Sequence, residues 1–259
     1  MTPPALSIVV PTLNEEGSID DCLDRVSSFL QSRSSSWEII VVDDGSDDAT
    51  VARVERRVAA EPRVRLVRQP HRGKGAAVRQ GMLAARGAWR LMADADLSVS
   101  PGDCAVLLDA AGDGSAAEVI AGSREAPGAR RIGEPLARHL IGRVFNAIVR
   151  LVLLPGIHDT QCGFKLLSAD AAHALFPQLT IEGFAFDVEL LFLARRAGFR
   201  IREVGVVWVC RVDSRVRVGR GAAAFADIVR IRLRHLAGRY RHLDRVQRAA
   251  PPGGTRAAS

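Results

Sequence analysis

Short runs of aliphatic and β-branched residues alternate, through the first half of the chain, with segments whose apolar positions recur at helical spacing. The runs at residues 6–11, 37–44, 64–68, 89–94 and 118–122 predict strands. Residues 15–30, 47–60, 74–86 and 101–111 predict helices between them. Ser46-Asp47-Asp48 and Ser100-Pro101 supply caps and a first-turn proline for two of those helices. This alternation implies an α/β fold, a mostly parallel sheet covered by helices on both faces. Beyond residue 123 the rhythm changes. A long helix at about 133–154 is followed by a loop rich in Gly, Asp and Thr, a helix at 186–197, a strand at 201–210 and a basic amphipathic helix after Gly221. No internal repeat or linker interrupts the chain, so the expectation is one domain over residues 1–248, basic from about 221, with a disordered Pro/Gly/Ala-rich tail at 249–259.

Composition narrows the classes. A chain of 259 residues with 47% hydrophobic residues can bury a core, which excludes global disorder. Charged residues interrupt every apolar run before the roughly 18 residues of a spanning helix. Met1-Thr2-Pro3-Pro4 lacks the basic start of a secretory signal, so the expected location is the cytoplasm, as a peripheral protein on the cytoplasmic face of a membrane. Cys22, Cys104, Cys162 and Cys210 are scattered, with no Cys-x-x-Cys and no His at metal spacing, and read as free thiols in a reducing compartment.

The net charge of +7 is unevenly spread: residues 211–248 carry eleven Arg against three Asp, while residues 1–210 are close to neutral. Phe225, Ile228, Val229, Ile231, Leu233 and Leu236 interleave there with Arg230, Arg232, Arg234 and Arg239. That pattern suits a helix lying on an anionic membrane surface, and equally one packed on its own domain with a solvated Arg face. With one Tyr and no aromatic-rich basic motif, nucleic acid is not an expected partner.

Ligands of an open parallel sheet bind beyond the carboxyl ends of its strands. Three predicted strand ends carry polar residues: Pro11-Thr12-Leu13-Asn14-Glu15, Asp43-Asp44-Gly45-Ser46 and Asp94-Ala95-Asp96. Side chains at i and i+2 leave a strand on one face, so Asp94 and Asp96 would offer two hard oxygen ligands to Mg²⁺ or Mn²⁺ on a diphosphate. Asp43 and Asp44 also make good turn chemistry. Arg72-Gly73-Lys74-Gly75 puts a basic loop at a helix N-terminus, where phosphate oxygens are favoured. It lacks the Walker A spacing, and no G-x-G-x-x-G follows the first strand, which disfavours a dinucleotide-dependent dehydrogenase.

Together with Gly122-Ser123-Arg124, Asp159-Thr160-Gln161-Cys162-Gly163-Phe164-Lys165 and Phe186-Asp187-Val188-Glu189-Leu190-Leu191, these motifs resemble the family 2 glycosyltransferases of the GT-A (Rossmann-like) fold. Within them, the chain looks like the dolichyl-phosphate β-glucosyltransferases and related polyprenyl-phosphate mannosyltransferases over roughly residues 6–218. The resemblance implies inverting transfer of a hexose from a nucleotide sugar, UDP-glucose favoured over GDP-mannose, to a polyprenyl phosphate. It implies Pro11, Thr12, Asn14, Glu15, Asp43, Asp44, Lys74, Asp94 and Gln161 as substrate-binding residues. It makes Asp94 and Asp96 the metal ligands, with Ser98 where the mannosyl branch often has Gln.

An acceptor phosphate, largely ionised at neutral pH, needs positive charge more than a base. Arg124, Arg131, Arg138, Arg143, Lys165 and Arg215 are candidates for that clamp, with Arg124, Arg131 and Lys165 favoured. Asp96, Arg124, Arg131, Lys165 and Asp187 form the expected catalytic set. The acids Asp187 and Glu189 also suit a helix N-terminus on dipole grounds alone. Phe184, Phe186 and Cys162 are expected in the core, and the apolar segment 147–157 with the basic helix is expected to meet the lipid. A soluble acceptor, or a non-catalytic nucleotide- or membrane-binding module, are the alternatives.

Overall fold

A computed structural model describes residues 3–33, 36–114, 116–210 and 218–240. The first half alternates as the pattern predicts: β1 (Leu6–Thr12), α1 (Ile19–Arg33), β2 (Trp37–Asp43), α2 (Thr50–Ala60), β3 (Val64–Arg68), α3 (Lys74–Ala84), β4 (Trp89–Met92), α4 (Cys104–Gly112) and β5 (Val119–Ser123). Ser100 caps a short 3-10 turn, Pro101–Asp103, that leads into α4. The second half contains β6 (Arg130–Ile132), α5 (Leu136–Val152), β7 (Lys165–Ser168), α6 (Ala169–Leu175), α7 (Phe186–Arg196), β8 (Ile201–Gly205), β9 (Val207–Val209) and α8 (Val218–Leu236).

Seven strands form the main sheet in the order β3-β2-β1-β4-β7-β5-β8. All neighbours pair parallel except β7, which runs antiparallel to both β4 and β5. Alternate residues of the central strands bury on opposite faces. Ile8, Val10, Ile39 and Val41 pack under α1 and α4, while Val9, Ile40 and Val42 pack under α3, α6 and α7. On that second face α5 and α8 add an outer layer through Phe145, Val149, Ile228 and Ile231, with the Phe145 and Phe225 rings edge to face at 5.3 Å.

Three expectations are corrected. The predicted strand 201–210 is two strands: β8 joins the main sheet, and β9 joins β6 in a separate two-stranded ribbon. A single residue, Val206, lies between them, too little for hydropathy to register the break. The segment 147–157 does not face outward as a whole, because Val149, Leu153, Leu154 and Ile157 are core. Phe186 is fully buried as expected, whereas Phe184 is exposed. No helix among the described residues is long and apolar enough to cross a membrane. The tail at 249–259 lies outside the described residues.

Gly81 lets α3 sit directly on the sheet: a Cβ there would stand 2.3 Å from Val9 Cγ1 and 2.8 Å from Val42 Cγ2. Gly81→Ala is expected to cost about 1–3 kcal/mol of stability through overpacking. Val9→Ala in the same chain should return part of it, read as the urea midpoint.

Candidate active site

The carboxyl ends of β1 and β2 are clasped by hydrogen bonds between their loops. Asn14, in the left-handed region at φ 54°, accepts from the Asp47 amide at 2.9 Å through its side chain, and its own amide donates to Ser46 Oγ at 2.8 Å. The Glu15 amide donates to Thr50 Oγ1 at 2.7 Å. Asp43 turns back on its own loop, accepting from the Gly45 and Ser46 amides. Thr12 is buried at the end of β1, and Pro11 is partly accessible beside it.

Asp44 does something else. Its buried carboxylate accepts from the Arg72 and Gly73 amides, both at 2.9 Å, from Gln69 Nε2 at 2.6 Å, and faces His71 Nδ1 at 2.8 Å. Asp44 therefore builds the loop that starts α3 and so delivers Lys74.

Strand β4 stops at Met92, so Asp94-Ala95-Asp96 lies in a turn closed by the Leu97 amide on the Asp94 carbonyl at 3.1 Å. The same-face argument from strand geometry is thus replaced by a turn that buries Ala95 and leaves both aspartates partly accessible. Ser98 fixes Asp96 through its amide at 2.8 Å and its hydroxyl at 2.9 Å. Lys74 Nζ meets Asp94 Oδ1 at 2.6 Å. Burial alone would lower the Lys74 pKa, but Asp94, Asp187 and Asp96 together hold it above the ordinary lysine range. A Cβ on Gly163 would stand 2.4 Å from Asp94 Oδ2, so a larger residue there would push that carboxylate aside.

Lys165 is not a surface cation. It is fully buried in β7, donating to Asp187 Oδ1 at 2.6 Å and to the Cys162 carbonyl at 2.5 Å. Burial raises the pKa of Asp187 despite the opposing pull of Lys165 and Lys74. Behind Lys74 and Asp94, the Lys165–Asp187 pair ties β7 to α7. Glu189, also fully buried, accepts from Thr180 and Ile181 and from the Tyr240 hydroxyl, a structural role.

Arg124 and Arg131, too, are committed within the protein. Arg124 forks onto Asp159 at 2.7 and 2.9 Å, and its amide adds a third bond at 2.9 Å. Burial would raise Asp159, yet Arg124 outweighs it and holds the carboxyl at about 2. Arg131 bridges Glu125 and Glu134, each at 2.6 Å. Arg138 instead makes no carboxylate pair among the described residues. Its guanidinium lies 5.5 Å over the Trp208 ring, which Arg124 approaches at 5.4 Å. Trp208 bridges to Val99, three residues past Asp96 in the chain. Arg143 points to a different recess with Arg150, and Arg215 lies outside the described residues. Gln161 is partly accessible, its amide on Asp159 Oδ1 at 3.2 Å. Cys162 is buried, and burial first, then Asp159, pushes its thiol up to about 11, which suits packing and not nucleophilic attack.

A family model described as Glycosyl transferase family 2 matches residues 7–176. The chain belongs to that family. The dolichyl-phosphate beta-glucosyltransferase of Dictyostelium discoideum is 36% identical over 250 residues, covering 90% of this chain and 75% of that protein. The human protein of the same name is 36% identical, covering 91% and 77%. Among solved structures, glucosyl-3-phosphoglycerate synthase of Mycobacterium tuberculosis with UDP superposes at a TM-score of 0.64 and 22% identity, covering 89% of this chain and 79% of that one. Another structure of that synthase, holding Mn²⁺, UDP-glucose and phosphoglyceric acid, gives 0.64 at 20%, covering 91% and 80%. The shared fold is that of this glycosyltransferase.

Sequence reasoning on this family 2 chain missed Trp208 and the pairing of Asp159 with Arg124. The second had a signal, since Asp159 opens the most specific run, but nothing local says that its partner lies 35 residues earlier.

Asp159→Asn leaves a nearly buried guanidinium unpaired and should cost about 3–5 kcal/mol. Because the folded pKa is depressed, the wild-type contribution, on the order of 2 kcal/mol, is present above about pH 4 and fades as pH falls toward 2. Urea titrations of both proteins across that window check it: the gap should narrow in acid. Gly163→Ala should keep the fold but displace Asp94 and lower sugar transfer by about a hundredfold, with thermal unfolding as the control.

Proposed function

We propose that the protein transfers glucose from UDP-glucose to the phosphate of a polyprenyl lipid, inverting the anomeric carbon. The observation that carries this reading is the partly accessible Asp94-Ala95-Asp96 turn, with Lys74 on it, in a chain over a third identical to dolichyl-phosphate glucosyltransferases along nine-tenths of its length.

The donor set fits a divalent cation. Asp94 and Asp96 offer hard carboxylate oxygens, and among the described residues no third His, Cys, Asp or Glu joins them in a metal-binding group. Mg²⁺ and Mn²⁺ commonly complete such a shell with water and diphosphate oxygens. Bound there, the cation would neutralise charge on the departing diphosphate. Lys74, at the N-terminus of α3, would hold a phosphate oxygen of the donor. The loops carrying Pro11, Thr12, Asn14, Glu15, Asp43 and Asp44 would frame the nucleoside, and Gln161 would face the sugar.

In the transfer, an oxygen of the acceptor phosphate attacks the anomeric carbon as the bond from that carbon to the diphosphate breaks, and UDP departs with the electron pair. The second pKa of a phosphate monoester is about 6, so the nucleophile is already largely ionised and needs no strong base. Asp187, buried against Lys165, serves as a support for Lys74. Arg138, over the Trp208 ring, would receive the acceptor phosphate. The donor is water-soluble and the acceptor carries a hydrocarbon chain, so the reaction belongs at a membrane surface, and the four free cysteines suit its cytoplasmic side.

The test incubates purified protein and Mn²⁺ or Mg²⁺ with UDP-glucose, GDP-mannose or other nucleotide hexoses, with and without polyprenyl phosphate, and follows sugar into the organic phase. Lipid-dependent glucose transfer from UDP-glucose should appear, and Asp96→Asn should lower it by about a hundredfold or more with its melting temperature retained. Transfer only to a water-soluble acceptor would overturn the lipid reading.

A further inference from the structure

Two outer helices carry rows of apolar side chains that are more than half exposed. On α5, Leu136, Leu140, Val144 and Leu151 are 81%, 60%, 54% and 86% exposed. At 3.6 residues per turn they fall within about 80° of one another around the helix. On α8, Val229, Leu233 and Leu236 are all more than half exposed and form a second row.

Charge lies along the edge of the α5 row. Arg143 and Arg150, two turns apart, project within about 40° of it by the same spacing. With Asn146, Glu125 and His158 they line a recess of about 110 Å³. Neither arginine makes a hydrogen bond or ion pair to a described residue, unlike Arg124 and Arg131. Glu125 is engaged by Arg131, and His158 is held by Glu203, its amide at 2.8 Å and Nδ1 at 3.1 Å. The recess thus has two uncommitted guanidiniums, a polar floor and an apolar stripe running past its mouth.

We propose that this face docks on an anionic phospholipid bilayer, with the α5 and α8 rows in the acyl boundary and one lipid phosphate between Arg143 and Arg150. Charge complementarity selects this occupant. A planar forked cation matches phosphate oxygens bidentately, and two of them beside an apolar stripe match a headgroup that remains attached to its chains. The docking surface uses arginines other than Arg138, which is where the reacting phosphate would be received. It deepens the proposed function by naming the surface on which a lipid acceptor is met, and its test is independent of transfer.

Sedimentation with vesicles tests it, using phosphatidylcholine alone and phosphatidylcholine with phosphatidylglycerol at physiological salt. Arg143→Gln with Arg150→Gln should weaken binding to the anionic vesicles by about 10- to 30-fold, while Arg56→Gln with Arg86→Gln, removing equal charge from exposed sites elsewhere, should not. Inorganic phosphate should compete with wild-type binding and have less effect on the arginine variant. Leu140→Gln with Val144→Gln should weaken binding to both vesicle types. Equal binding by the two arginine pairs, or no competition by phosphate, would overturn the site. Transfer to a short, water-soluble polyprenyl phosphate without vesicles should be unchanged in all variants. Its loss in Arg143→Gln with Arg150→Gln would overturn the proposal by assigning the recess to the acceptor. If the wild type binds vesicles but transfers no sugar to any polyprenyl phosphate, the docking face stands and the acceptor reading fails.

Discussion

The fork between Arg124 and Asp159 is the contact on which the second half of the molecule turns. It joins the end of β5 to the start of the run that becomes β7, and β7 must enter the sheet backwards, between β4 and β5. In that position Met92 and Ala121 flank Lys165, and Lys165 reaches Asp187 on α7. Gly163, two residues before β7, then lies against Asp94. Each step leans on the one before it. A buried pair of this kind adds little net stability over a well-packed apolar one, but removing either partner strands a charge, so it specifies geometry more than it stabilises.

The same reasoning explains why carboxylates near the site have such unequal environments. Asp43 and Asp44 spend their oxygens on backbone amides and on the loop ahead of α3. Asp159 and Asp187 spend theirs on buried cations. Asp94 and Asp96 are left with accessible oxygens, held in place by Lys74 and Ser98. The residues that build the site are the satisfied ones, and the residues with capacity to spare are those placed at its mouth.

Hydropathy made the first half legible because each strand there is a short run rich in aliphatic residues and each helix a separate periodic one. The D-x-D turn was singled out by its residue types, but its conformation was misread, since an apolar run does not mark where pairing stops. β7 went unseen: Lys165-Leu166-Leu167-Ser168 is four residues long and follows a glycine-rich loop, and its place comes from pairing with β4 and β5. The arginines were singled out as a group but not sorted, because a guanidinium that neutralises a carboxylate 35 residues away looks, in sequence, like one that awaits a phosphate.

That sorting decides how a phosphate dianion can be accommodated. Lys74, Lys165, Arg124 and Arg131 are each matched to a carboxylate, so the site is close to electrically balanced before any ligand arrives. A nucleotide sugar carrying two negative charges and a divalent cation form a neutral pair, and such a pair can enter without upsetting that balance. Lys74 would then hold a phosphate oxygen of the donor, and Asp94 and Asp96 would hold the cation, which would offset the charge of the diphosphate. The acceptor brings no companion cation. Its charge must be met by a guanidinium not already matched, and of the two clamp candidates over Trp208, Arg138 is the one without a described carboxylate partner. Stacking on Trp208 holds Arg138 in place without spending its charge, and a cation kept in reserve in that way is what a lipid phosphate approaching the donor requires.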